Sequence, residues 1–111
     1  MTIHDSVTFG LVVRFKLRPG EEEGFDRLVA ETVPRIHEKE PGTLLYLCQR
    51  VEGKPELRLF YELYRDRAAF EAHEEQVHTR RFLAEREKFV ESFEVDFLSH
   101  SAAAGAWLPG T

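Results

Sequence analysis

From Val7 to Arg18 the side chains alternate. Val7, Phe9, Leu11, Val13, Phe15 and Leu17 fall on one parity, and Thr8, Gly10, Arg14, Lys16 and Arg18 on the other. A period of two sustained this long specifies a strand with one apolar face, and such a face must be covered. Pro19-Gly20 stops the strand. Glu21 to Glu40 changes period: Phe25, Leu28, Val29, Thr32 and Ile36 recur at helical spacing, and the acidic first turn suits the positive end of the helix dipole. Pro34 removes a backbone donor and its ring opposes the carbonyl of Ala30, so a kink or an early end is expected there. Pro41-Gly42 closes the segment.

Leu44 to Val51 and Leu57 to Tyr64 read as two more strands joined by a hairpin-like connection at Gly53-Lys54-Pro55. Both carry apolar residues on both parities: Leu45, Leu47, Leu57, Leu59 and Leu63 on one, Leu44, Tyr46, Phe60 and Tyr64 on the other. Helices cover one face of such a sheet. A chain of this size has no layer left for the second face, and another subunit is the economical cover. Asp66 is placed to cap a helix from Arg67 to His73, and Thr79 to cap the next, where Phe82, Leu83, Arg86, Phe89 and Val90 keep helical spacing. Ser92 to His100 alternates again as a fourth strand, with Phe93, Val95 and Phe97 on one face. The order is β-α-β-β-α-β with an extra helix, which is the α+β, ferredoxin-like split βαβ arrangement. One domain is expected over residues 1–100. Residues 101–111, Ala- and Gly-rich, form a C-terminal tail whose Trp107 either frays or docks on a partner.

Charge and cysteine content remove several functions. A net charge of −5 supplies no basic excess for phosphates, so a nucleic-acid partner is not expected. Arg80, Arg81, Arg86 and Lys88 interleave with Glu85, Glu87 and Glu91 and read as a solvated helix face. Cys48 stands alone, which excludes an intrachain disulfide and a zinc ribbon and suits a small buried side chain. The N-terminus has no secretory signal pattern and no run is long enough to span a bilayer, so a cytoplasmic protein without a membrane partner is expected.

The chemistry-bearing stretch is Leu57 to Phe82, an aromatic strand followed by two histidines. His73 and His78 lie about 140° apart on an unbroken helix. They converge only if the chain bends at Glu75-Gln76, and without a third ligand no metal site is expected. Each imidazole is suited to proton transfer near neutrality, or else to helix capping and solvation. Tyr46, Tyr61 and Tyr64 either contact a phenolic ligand or pack. Glu62, mid-strand between apolar neighbours, needs a partner: an inter-subunit ion pair, with Arg14, Arg50 or Arg58 as candidates, or else a catalytic task.

Taken in order, several segments resemble the antibiotic biosynthesis monooxygenase family of dimeric α+β barrels, over roughly residues 7–100. They are the first strand, Glu40-Pro41-Gly42 before Leu-Leu-Tyr-Leu, Phe60-Tyr61-Glu62-Leu63-Tyr64-Arg65-Asp66, and Ala69-Phe70 followed by His73 and His78. The resemblance implies a homodimer with facing sheets and a pocket between sheet and helices in each subunit. It also implies oxygenation of a small phenolic, quinol-like or polyketide-type aromatic by O2, with no flavin, haem or metal as cofactor. His73 or His78 is then the base, with Tyr64, Tyr46, Phe82 and Val13 as substrate-binding positions. The haem-degrading branch carries an asparagine where this chain has Val13 and its haem-ligand histidine near Phe82, which disfavours haem degradation. Members often carry tryptophan at Tyr64. The helix-end histidine pair also resembles a branch that isomerises a phosphorylated autoinducer. An isomerase or lyase of a small carbonyl compound, or a non-catalytic ligand-binding dimer, therefore stand as alternatives.

Overall fold

The computed structural model describes residues 8–99 and 102. Four strands form one antiparallel sheet: β1 (Phe9–Leu17), β2 (Thr43–Val51), β3 (Lys54–Tyr64) and β4 (Val90–Leu98), in the spatial order β2-β3-β1-β4. Helix α1 (Glu22–Lys39) crosses from β1 to β2. Helices α2 (Arg67–Glu75) and α3 (Val77–Glu85) and a 3-10 turn (Arg86–Lys88) lead from β3 to β4. This is the ferredoxin-like α+β fold. Val7, His100, Trp107 and most of the tail lie outside the described residues.

Period two places Leu11, Val13, Phe15 and Leu17 under the helices, each nearly closed to solvent. Register carries the same face across the sheet: Leu11 lies opposite Glu62 and Phe97, and Val13 opposite Phe60 and Val95. Phe15, Phe25, Phe60 and Phe82 meet there with ring centroids 4.8 Å (Phe15–Phe60) to 6.5 Å (Phe15–Phe82) apart, within the range for offset and edge-on pairs. The helices cover β2, β3 and β1 and stop short of β4. Phe93, Val95 and Phe97 are consequently 46%, 37% and 61% exposed on the helix side of the sheet, and that side of the fold stays open. On the other face no element among the described residues covers Leu45, Leu59 and Tyr61, which stay half-buried, and Leu47 is exposed. No helix among the described residues is long and apolar enough to cross a membrane.

Several boundaries differ from the sequence expectation. Helix α1 runs through Pro34 without a break. Phe25, Leu28 and Thr32 before the proline and Ile36 after it are buried together, and this packing outweighs the one backbone bond the ring removes. The hairpin turns at Glu52-Gly53, with Gly53 at φ 79°, and Lys54 and Pro55 already belong to β3. Proline is tolerated because a register shift at Arg50/Val51 bulges the strand beside it. Helix α3 starts two residues before Thr79, which is buried rather than a cap. Asp66 does cap α2, its carboxylate accepting from the Ala69 backbone at 2.8 Å. The helical spacing past Arg86 is broken by the 3-10 turn, so Val90 opens β4.

Gly42 is the closest approach between the start of β2 and α2: a Cβ there would lie 2.6 Å from the Ala69 Cβ. Its carbonyl also accepts the Arg65 backbone N–H at 2.8 Å. Gly42→Ala is expected to lower stability by about 1–3 kcal/mol through overpacking. Chemical denaturation measures it, and a midpoint equal to wild type would contradict the tight seam.

Candidate functional site

Glu40 ends α1, its backbone N–H bonded to the Ile36 carbonyl. A carboxylate is electrostatically misplaced at the negative pole of a helix, and here it is also buried, 7% exposed. Three donors compensate. The Thr43 hydroxyl donates to Oε1 at 2.7 Å. His73 Nδ1 lies 2.8 Å from Oε1 and His78 Nε2 lies 2.5 Å from Oε2. The two histidines converge because Gln76 adopts an extended conformation (ψ 145°) between α2 and α3. That is the bend the spacing required, and it gathers the rings on the Glu40 carboxylate. Among the described residues no cluster of three His, Cys, Asp or Glu is arranged to hold a metal ion.

Burial raises the cost of ionising Glu40, but the hydrogen bonds from His73, Thr43 and His78 outweigh it and hold the carboxyl below its ordinary value. An ionised Glu40 accepts only, so both imidazoles present N–H to it. In the neutral His73 ring that places the proton on Nδ1 and the lone pair on Nε2. The ring is packed between Tyr46 and Tyr64, at centroid distances of 5.6 and 5.3 Å.

His73 borders a cavity of about 230 Å³ between the sheet and α2–α3, walled by Leu11, Val13, Phe15, Phe60, Phe70 and Phe82 and opening along Phe93, Val95 and Phe97 of β4. Tyr46, Glu62, Glu74 and Arg86 contribute its polar groups. Among the described residues every fully buried side-chain nitrogen and oxygen has a hydrogen-bond partner. The Tyr46 hydroxyl, His73 Nε2, one oxygen of Glu62 and the Arg86 guanidinium take none from those residues, so each keeps some solvent access, and all four residues line the cavity. A small apolar hollow with a few convergent polar groups is what a small-molecule site requires.

The sequence-named positions divide. His73, Tyr46, Phe82 and Val13 line this cavity. His78 does not; it borders a groove between α1 and α3 on the far side of Glu40. Tyr64 is fully enclosed and its hydroxyl donates to Glu62 Oε1 at 2.6 Å, so it stands behind the cavity wall rather than in it. Within the one chain, none of the three arginines considered for Glu62 pairs with it. Arg58 forks onto Asp26 with two bonds of 2.9 Å, Arg50 also reaches Asp26, and Arg14 pairs with Asp96. Burial therefore pushes the Glu62 carboxyl above its ordinary value, against the opposing Tyr64 hydrogen bond. Burial also raises both phenols, Tyr46 and Tyr64, which stay protonated, and pushes the Cys48 thiol up to about 12.

Two contributors went unassigned in the sequence. Glu40 was visible as an acidic residue at the wrong end of a helix. Arg86, read as part of a solvated face, lies instead over the Phe93 ring, 4.2 Å from its centroid, and no carboxylate among the described residues pairs with it. Its spacing after Phe82 and Leu83 was the available signal.

A family model described as antibiotic biosynthesis monooxygenase matches residues 8–85. Among solved structures, a Pseudomonas aeruginosa protein is 27% identical with a TM-score of 0.79, covering 87% of this chain and 97% of its own. A candidate antibiotic biosynthesis monooxygenase of Caulobacter crescentus is 18% identical with a TM-score of 0.81, covering 87% of this chain and 92% of its own. A conserved protein of Methanosarcina mazei is 15% identical with a TM-score of 0.80, covering 91% of this chain and all of its own. The likeness to the last two is one of fold. No curated protein sequence matches at a comparable level.

Replacing Glu40 by Gln leaves two imidazoles without their anion and is expected to cost about 2–4 kcal/mol at neutral pH. Because the folded-state value of Glu40 is depressed, its contribution is fully present above the ordinary carboxylate range and is lost as pH falls through the folded value. Thermal melts of wild type and Glu40→Gln should therefore converge between about pH 5 and pH 3. A gap that stays constant over that window would contradict an ionised Glu40.

Proposed function

Because the chain belongs to the antibiotic biosynthesis monooxygenase family, we propose that it oxygenates a small phenolic, quinol-like or polyketide-type aromatic with O2, with His73 as the base. The observation that carries the reading is the Glu40–His73 pair, its Nδ1–Oε1 distance 2.8 Å, at the wall of an aromatic cavity. A carboxylate on Nδ1 fixes the tautomer, aims Nε2 at the ligand and stabilises the imidazolium that forms. His73 Nε2 removes a proton from an electron-rich phenol or an acidic C–H. The resulting anion passes one electron to O2, and the two radicals recombine with a new carbon–oxygen bond. The protein supplies the base, fixed donors and a water-poor enclosure.

In this reading His78 is a positioning residue that holds Glu40 on the side away from the ligand. Tyr46 donates its hydroxyl to the substrate, Phe82 and Val13 form the apolar wall, and Arg86 faces the charge that develops on oxygen. Tyr64, enclosed behind the wall, contacts no ligand in this reading. The reaction as written requires no cofactor. The uncovered sheet face, with Leu45, Leu47, Leu59 and Tyr61, supports a homodimer of facing sheets. The alternative isomerase or lyase of a small, phosphorylated carbonyl compound called for a pocket holding Arg14, Arg50 or Arg58. Arg50 and Arg58 do line a separate groove between α1 and the β2–β3 strands, but both bond Asp26 there and Arg14 bonds Asp96, which weakens the support for a phosphate site.

Oxygen uptake with hydroquinones and small phenols tests the reading. Wild type should exceed autoxidation, and His73→Gln should lose about 10²–10⁴-fold in turnover, the usual contribution of a positioned base. His78→Gln should lose less while shifting the pH profile. Uptake at the autoxidation rate across the panel, or a fully active His73→Gln, would sink it.

A further inference from the structure

Glu62 is the buried titratable group to which base catalysis alone gives no task. It stands mid-strand on β3 and is 5% exposed. No cation among the described residues pairs with it. Its Oε1 accepts the Tyr64 hydroxyl at 2.6 Å, and the enclosed phenol fixes the plane of the carboxyl. Oε2 receives no bond from the described residues, yet no fully buried side-chain oxygen among them is unpartnered. Oε2 therefore looks into the cavity that Glu62 shares with His73. The surrounding titratable and charged groups are His73 and Glu74 from α2, Glu40 at the end of α1, Tyr46 from β2, Tyr64 from its own strand and Arg86 after α3. Burial dominates their balance, and the carboxyl keeps its proton above the ordinary range.

An imidazole base and a protonated carboxyl on one small cavity form the pair that enolisation needs. We propose that Glu62 is a second catalytic residue, hydrogen-bonding through Oε2 to the carbonyl oxygen of an enolisable aromatic ketone while His73 Nε2 takes the proton from the adjacent carbon. This rests on the proposed function and supplies the acid for its C–H branch. The C–H electron pair becomes the new carbon–carbon double bond. The carbonyl π pair moves onto oxygen, which receives the Glu62 proton. Glu62 is left as carboxylate and His73 as imidazolium beside the Glu40 anion, and reversal of the step restores both. Oxygen enters only afterwards, so the first half of the reaction runs without it.

Deuterium incorporation at C1 of 2-tetralone, followed by NMR in deuterated buffer under argon, isolates that half. Wild type should accelerate exchange over buffer, and Glu62→Leu should lose about 100-fold or more of that acceleration. Glu62→Gln should keep a part, because its amide still donates to the carbonyl. It should also lose the fall in rate that wild type shows as rising pH ionises Glu62. Wild-type exchange no faster than buffer, or a folded Glu62→Leu as fast as wild type, would overturn the assignment. If Glu62→Leu does not fold, the Gln variant decides, and a pH profile identical to wild type overturns it. Oxygen uptake with hydroquinones, read on the same preparations, judges the oxygenase separately. Intact uptake with Glu62-independent exchange counts against Glu62 alone.

Discussion

The Glu40 carboxylate is the interaction on which the site depends. It sits where three costs coincide: at the negative pole of an 18-residue helix, out of water, and without a salt bridge to arginine or lysine among the described residues. A buried carboxylate in such a place is tolerated only when its oxygens are fully hydrogen-bonded. Thr43, His73 and His78 meet that need, and in doing so they tie the end of α1 to β2, α2 and α3. The same bonds that make the anion affordable orient the imidazole that faces the cavity. Stability and the geometry of the base are therefore one arrangement.

A second carboxyl, Glu62, lies nearby in the opposite state. Glu40 is held ionised by three donors, whereas Glu62 has one phenol and no cation, so burial prevails and favours its protonated form. Two acids of equal intrinsic strength are thus shifted in opposite directions, Glu40 toward the anion and Glu62 toward the neutral acid. The aromatic surroundings keep the local dielectric low, which magnifies both effects. Arg86, stacked on Phe93 and facing the same hollow, adds a fixed positive charge where oxygen would acquire a negative one.

Much of the fold was legible because it is set by local period and punctuation. The alternation in β1, the turn residues at Pro19-Gly20 and the cap at Asp66 depend on neighbours in sequence. Pro34 misled because local propensity argued for a break, while buried residues on both sides of it held the helix together. The site was less legible, since its parts are brought together by tertiary approach. His73 and His78 were visible as a pair, but their meeting depends on the extended Gln76, and their shared partner lies more than thirty residues earlier, at the end of another helix. Within the chain Asp26, on α1, takes Arg58 and Arg50, a competition for the candidate partners of Glu62 that strand patterns do not reveal.

The central claim is that Glu40 holds His73 with its proton on Nδ1 and its Nε2 lone pair turned to a ligand cavity. Long-range proton–nitrogen NMR of the ring, at a pH of about 8 and so above the ordinary histidine range, reads the tautomer directly. The account predicts a protonated Nδ1, and an Nε2 resonance that shifts when a hydroquinone is added. A ring protonated on Nε2 and indifferent to the ligand would contradict it.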